Sequence, residues 1–174
     1  HKTGSDMRYR RHLSLVVTGF LVVLPLLFFA GTVSGRDAAL RGLAGVLIDV
    51  DIDDIFTSEG LSKRQIISDI ELILQQAGVK VLSDKQWGKT EGHPRLFVQI
   101  AGNKVQENWP FFTFAINIQL HQDVYISRSG QTELIQASTW FNMQSGYGYV
   151  GDIRLQIKEI VGTFAADYLA ANQM

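Results

Sequence analysis

Hydrophobic and polar positions along the chain fall into distinct regimes. Leu13 to Ala30, LSLVVTGFLVVLPLLFFA, is apolar without period or charge, and counting on to Val33 gives 21 uncharged positions. That is about what a helix needs to cross a bilayer. From Val46 the period becomes two. Val46, Ile48, Val50 and Ile52 alternate with Leu47, Asp49, Asp51 and Asp53, which predicts a strand with one buried face and a wet face lined by acids. Ser62 followed by Gln65 has the spacing of a capping box, and Ile66, Ile70, Ile73, Leu74 and Ala77 repeat at helical spacing until Gly78 supplies a stop. Val79 to Leu82 reads as a short strand, Ser83 with Gln86 as the start of a helical turn around Trp87, and Lys89 to Arg95 as a loop.

Three strands are then expected in an antiparallel meander: Leu96–Ala101, Phe112–Ile126 and Thr132–Met143. In the second, Phe112, Phe114, Ile116, Ile118, Leu120, Val124 and Ile126 share one parity; in the third, Ile135, Ala137, Phe141 and Met143 are expected to face inward. The intervening loops are Gly102–Pro110, a turn over Ser127–Gly130, and Gln144–Gly151. Asp152 is placed to cap a closing helix striped by Ile153, Ile157, Ile160, Val161, Phe164 and Tyr168. The order β-α-β-β-β-α predicts an α+β fold, a two-layer sandwich with a mostly antiparallel sheet and two helices on one face. The other sheet face carries Asn117, Gln119, His121 and Asp123, polar enough to stand in water.

Charge places the apolar stretch. Arg8, Arg10 and Arg11 stand directly before it, so by the positive-inside rule the chain beyond it faces outward. The expected organisation is a cytoplasmic basic segment over 1–12, with 1–6 an added or upstream tail before Met7, then an anchor over 13–33, a tether over 34–45 and a periplasmic domain over 46–174. Length favours a retained span of the inner membrane, because a cleaved signal core is usually about 7–15 residues. The small residues Ala30, Gly31, Thr32, Ser34 and Gly35 keep cleavage open as the other reading. Thr18 and Gly19 are the small residues through which a span packs closely against neighbouring membrane helices.

Candidate chemistry changes this picture little. The chain has no Cys, which removes disulfides, thiolate nucleophiles and Cys-based metal sites. From residue 36 onward 12 Lys and Arg face 16 Asp and Glu, and a mildly acidic, unclustered balance argues against nucleic acid as a partner. Gly146-Tyr147-Gly148-Tyr149-Val150-Gly151 matches G-x-G-x-x-G, but no second strand follows to complete a dinucleotide-binding unit. Asp49, Asp51, Asp53 and Asp54 lack the Gly and Glu of a calcium loop, since positions 6 and 12 of one starting at Asp49 fall on Asp54 and Gly60. His93, His121 and Asp123 with Ser127 and Ser129 assemble into a triad only on paper, with no nucleophile elbow. No cofactor, metal or catalytic role is therefore expected. The residues that stand out are aromatic and outside the predicted elements: Trp109-Pro110-Phe111 at the meander entrance and Tyr147 and Tyr149 in the glycine-rich loop. Loop aromatics contribute large contact area at small entropy loss.

The run GLSKRQIISDIELILQQAGVKVLSDKQW, followed by the meander and a final helix ending FAADYLAANQ, resembles a functionally uncharacterised group of bacterial exported domains. The element order also looks like the amino-terminal domain of periplasmic TolB. Such relatives imply envelope assembly or adaptor roles. The expectation is a non-enzymatic single-pass protein whose periplasmic domain contacts other membrane or envelope proteins as an accessory subunit, with the lipid bilayer contacted through Leu13 to Val33. The alternative is a cleaved, soluble periplasmic module holding a small ligand or lipid between sheet and helices.

Overall fold

The computed structural model of the chain describes residues 35–172. The predicted span Leu13–Val33, with Thr18 and Gly19, lies outside them, and among the described residues no helix is long and apolar enough to cross a membrane. The described chain forms an α+β arrangement: α1 (Gly35–Leu40), β1 (Leu47–Ile52), α2 (Asp54–Thr57), α3 (Lys63–Gln76), α4 (Asp84–Trp87), β2 (Arg95–Gln106), β3 (Trp109–Arg128), β4 (Gln131–Gly148) and α5 (Val150–Asn172). The four strands form one sheet in the order β1-β2-β3-β4. It is mixed: β1 runs parallel to β2, with Val50 opposite Val98, while β2, β3 and β4 are the antiparallel meander.

Both amphipathic helices follow from the periodicity. α3 buries Ile66, Ile70 and Leu74. It ends where Gly78 takes φ +73°, so that Gly78 N–H donates to Gln75 O at 3.0 Å and Val79 N–H to Leu74 O at 2.8 Å, the paired bonds of a Schellman stop. Ser62 stands at the N-cap but makes no side-chain cap bond; the capping box forms instead at Ser83, whose N–H donates to Gln86 Oε1 at 3.0 Å. α5 buries Ile153, Ile157, Ile160, Val161 and Phe164 against the row Phe112, Phe114, Ile116, Ile118 and Leu120 of β3. Asp69 of α3 receives two hydrogen bonds from the Arg154 guanidinium of α5, at 2.6 and 3.0 Å, with Lys158 Nζ at 3.3 Å.

Five expectations are corrected. Val79–Leu82 is not a strand of the sheet but a single bridge, Val46 to Val81. The stretch read as a tether is drawn into the domain: α1 ends in Leu40, which is fully buried. Asn172 receives the Gly42 N–H at 2.9 Å and donates to Leu40 O at 3.0 Å.

The loop Gly102–Pro110 is mostly strand, leaving a tight turn at Glu107 and Asn108. Backbone pairing continues through Gly102 because a glycine lets the strands meet Phe56: a Cβ there would lie 2.2 Å from Thr113 O and 2.8 Å from Phe56 Cζ. Gln144–Gly148 likewise belongs to β4 rather than to a loop.

The fifth correction concerns which way β4 faces. His121 pairs with Ser138 but Leu120 pairs with Trp140, leaving Thr139 as one extra residue in β4. A bulge of this kind flips every later side chain to the opposite face. Ile135 and Ala137 keep the inward parity, Trp140 is buried, and Phe141 and Met143 point outward, 60% and 66% exposed. Beyond His121 the β3–β4 ribbon runs on past β2 to a two-residue turn, Ser129 and Gly130, at φ +51° and +80°, the mirror-image geometry that matches strand twist.

Two stability predictions follow. Gly102→Ala is expected to cost about 1–3 kcal/mol, the range for overpacking a filled site, read as a lowered urea midpoint with unchanged slope. Asp69 is held below the ordinary carboxylate range, chiefly by its hydrogen bond from Arg154 and against the opposing effect of burial. A carboxylate so lowered stabilises the fold above its unfolded pKa of roughly 4 and ceases to as pH falls through its folded value. Asp69→Asn is therefore expected to lower Tm at pH 7 and to flatten the loss of Tm below pH ~4; a parallel acid profile in thermal circular dichroism would count against the clasp.

Candidate functional site

The bulge assembles a surface that alternation alone disperses. On the outer face of the sheet the register sets Asp49, Phe97, Gln119 and Phe141 side by side across the four strands, and next to them Asp51, Gln99, Asn117 and Met143. Two residues further along β4 is Ser145, opposite Ala115, and then Tyr147, opposite Thr113. The outer row of β4 is therefore Phe141, Met143, Ser145, Tyr147, largely apolar along an edge strand, while its inner row, Trp140, Asn142, Gln144, Gly146, Gly148, lies under α5.

At the Tyr147 end the aromatic residues singled out in the sequence converge. Trp109 and Phe111 stack with ring centroids 4.8 Å apart. Phe111 lies 5.9 Å from Tyr147 and meets Tyr149 edge-on at 5.2 Å. Phe111 is thus the hub, partly covered, while Trp109 is 43%, Tyr147 75% and Tyr149 49% exposed. Pro110, also exposed, takes the place in β3 between Trp109 and Phe111. Trp109, Pro110, Phe111 and Tyr147 sit on strand ends and not in loops, because β3 begins at Trp109 and β4 runs on to Gly148, while Tyr149 is the single residue between β4 and α5. The reading as a fold-back over the sheet edge and the reading as an exposed patch are both realised: the rings cover one another and still present their outer faces to solvent.

The glycines have a packing cause. A Cβ on Gly148 would lie 2.7 Å from Asp152 Oδ2, and one on Gly146 3.1 Å from Phe114 Cζ. Asp152 Oδ2 accepts the Tyr149 N–H at 2.8 Å, so a carboxylate occupies the start of α5 where a phosphate would have to bind. The first two glycines of the G-x-G-x-x-G spacing thus serve the close passage of β4 against β3 and α5, whereas a Cβ on Gly151 would meet nothing within 4 Å.

The triad candidates are only partly brought together. His93 Nδ1 and Asp123 Oδ2 are 2.6 Å apart, with Trp87 edge-on to the imidazole at 5.2 Å. Ser127 is four residues beyond Asp123 along β3, about 13 Å at strand rise, and Ser129 is at the ribbon tip. His121 instead bonds Gln119 Oε1 at 2.9 Å and leans on Phe97 at 5.8 Å. Burial and the nearby Arg95 charge push its imidazole below the ordinary value. Of the four acids, Asp53 accepts the Gly102 N–H at 3.0 Å and Asp49 faces Arg95 at 3.6 Å. Among the described residues no three His, Asp or Glu side chains converge as a metal site requires.

The space between sheet and helices, where a small ligand was expected, is filled: Val98, Ile100, Ile116, Ile118, Ile157 and Phe164 are at most 1% exposed. A concavity of about 370 Å³ lies instead on the ribbon, lined by Ile126, Arg128, Ser129, Gln131, Glu133 and Ile135. What sequence reading missed is the outward row Phe141–Met143. Its signal was present in the adjacent pair Trp140-Phe141, two large rings that a strand cannot point to the same side.

No family model matches the chain, and no curated protein matches it significantly. Among the solved structures that show similarity are two lipoproteins. A minor lipoprotein from Acinetobacter baumannii is 8% identical with a TM-score of 0.36, over 74% of this chain and 93% of that one. Rare lipoprotein B from Shewanella oneidensis is 9% identical with a TM-score of 0.28, over 72% and 92%. Both are lipoproteins and neither is the TolB domain; at these scores the likeness carries no argument, and the surface is read from its own residues.

The ring cluster is expected to be energetically coupled. A double-mutant cycle of Phe111→Leu and Tyr149→Leu, measured by urea unfolding, should return a coupling of about 0.5–1.5 kcal/mol, as for an edge-to-face aromatic pair. Additive single effects would mean that the rings merely neighbour one another.

Proposed function

We propose that the chain is a non-enzymatic binding module of the bacterial cell envelope, working on the outward side of the inner membrane and contacting another envelope component through the outer face of its sheet. The observation that carries this reading is the ring cluster built on Phe111 with Trp109, Tyr147 and Tyr149 exposed, on the same outer row of β4 as Met143 and Phe141, with Ser145 between them. Contiguous apolar surface rimmed by polar groups marks interaction sites, and aromatic residues are the ones that dominate them. The rings are also tied to a rigid support, the ends of two long paired strands, so little ordering is lost on contact.

The export address rests on the sequence: three arginines before 21 uncharged positions. The filled helix–sheet interior supports contact on the outside of the domain in place of a ligand enclosed within it. A second reading, a retained single-pass accessory subunit, uses the same surface and is favoured by the length of the uncharged stretch.

The test is site-specific photocrosslinking in cells making the full chain. A photoreactive residue at position 147 is expected to give a discrete adduct, lost on Phe111→Ser, while the same group at Leu72, exposed on α3, gives none. Equal adducts at both positions, or none at position 147, would remove the surface from the reading.

A further inference from the structure

Resting on that reading of the outer face as the contact surface, we propose that its partner element is an amphipathic helix with a basic flank. The argument begins with the two borders of the face. Along β4 it shows Phe141, Met143 and Tyr147, all at least 60% exposed. Along β1 it shows Asp49 and Asp51, in register with Phe141 and Met143 respectively. Between them lie Gln99, Asn117 and Gln119, uncharged and half-buried, with Phe97 beside Gln119. Three strand spacings separate β1 from β4, about 14 Å.

An element that meets both borders has to be wide and two-sided. A single added strand covers one row of about 4.8 Å. An α-helix with its side chains is about 10–12 Å across and carries different chemistry on its two flanks when its sequence has helical period. Laid along the strands over Gln99 and Asn117, such a helix sets its apolar stripe on Met143 and Tyr147 and its other flank beside Asp51. Acids on that side select lysine or arginine there and disfavour glutamate or an anionic headgroup, since like charges brought together are unfavourable. Asp51 is exposed. Asp49 already faces Arg95 at 3.6 Å, a loose exposed pair of the kind that contributes little and leaves its carboxylate open to a second cation. The central amides offer donors and acceptors that tolerate either a side chain or water. The opposite face of the same sheet already carries helices, with α3 and α5 packed over its apolar side chains.

The chain lacks Cys, which makes a single introduced thiol a unique reporter. The full chain in zwitterionic detergent, labelled with an environment-sensitive dye at Gln99→Cys, is titrated with a designed 18-residue helical peptide having leucines on one side and lysines along one flank. The control peptide carries glutamates in place of the lysines, and the control label sits at Leu72→Cys on the helix layer. The expected result is saturable blue-shift at position 99 and none at position 72. Asp49→Asn with Asp51→Asn should weaken it about fivefold or more, and Met143→Asp should abolish it. Equal binding of the glutamate peptide, or insensitivity to the two aspartate substitutions, overturns the basic-flank partner. So does absence of any shift at position 99 while the crosslink at position 147 still forms, an outcome that leaves the contact surface standing and rejects only this partner. Loss of both rejects the surface itself.

Discussion

Trp140 reaches from an edge strand into the helix layer, and the arrangement of the outer surface depends on its doing so. Its indole Nε1–H donates to Asp167 at 2.8 Å, and its ring meets Phe164 edge-on at 5.1 Å. A buried indole needs a partner for its N–H as well as a place for its large ring, and α5 supplies both. Thr139 is the residue that lets this happen without breaking the pairing of β3 with β4 on either side. Its hydroxyl is drawn in among Leu120 O, at 3.3 Å, and Gln122 Nε2, at 2.8 Å.

Once Trp140 faces inward, everything up to Gly148 is assigned. The inner positions Asn142, Gln144, Gly146 and Gly148 are small or polar because α5 and Phe114 press closely there, closely enough that Gly148 has no room for a Cβ beside Asp152. The outer positions receive the bulky groups. A strand that buried Phe141 and Met143 instead would expose Trp140 and turn its N–H to solvent, while the glycines would leave the outer face bare. The sheet therefore shows its surroundings a surface chosen by what the core requires of one residue.

Much of this architecture was legible. The parity of β1, the stripes of α3 and α5 and the stop at Gly78 were read correctly because each is a repeat of several residues, and burial enforces the repeat. The ring cluster was legible as residues but not as geometry: Phe111 and Tyr149 are 38 positions apart and meet only because β3 and β4 pair. The strand ends at Gly102–Gln106 and Gln144–Gly148 were hidden because glycine and polar residues there carry no alternation, and backbone pairing holds them. The bulge was hidden because a single inserted residue has no period, although Trp140-Phe141 announced that the parity had to change. α1 was hidden because six residues with one buried leucine are too short for a pattern.

The side-chain amide of Asn172 joins the two ends of the described domain. It accepts from Gly42, and donates to Leu40 O and, within its own helix, to Tyr168 O at 2.8 Å. The backbone that arrives through α1 is consequently buckled to the last turn of α5 before it reaches β1. A pull applied at α1 would be led into the long axis of a 23-residue helix, whose Ile and Phe row is locked into the sheet, and so would be spread over many contacts loaded together in shear. Without that buckle the same pull falls on β1, an outer strand held by one neighbour and free to peel away one hydrogen bond at a time. Strain that enters at α1 is therefore shared among Asn172, the buried Leu40 and the Gln122 amide on Ala39 O, and is not concentrated at one strand edge.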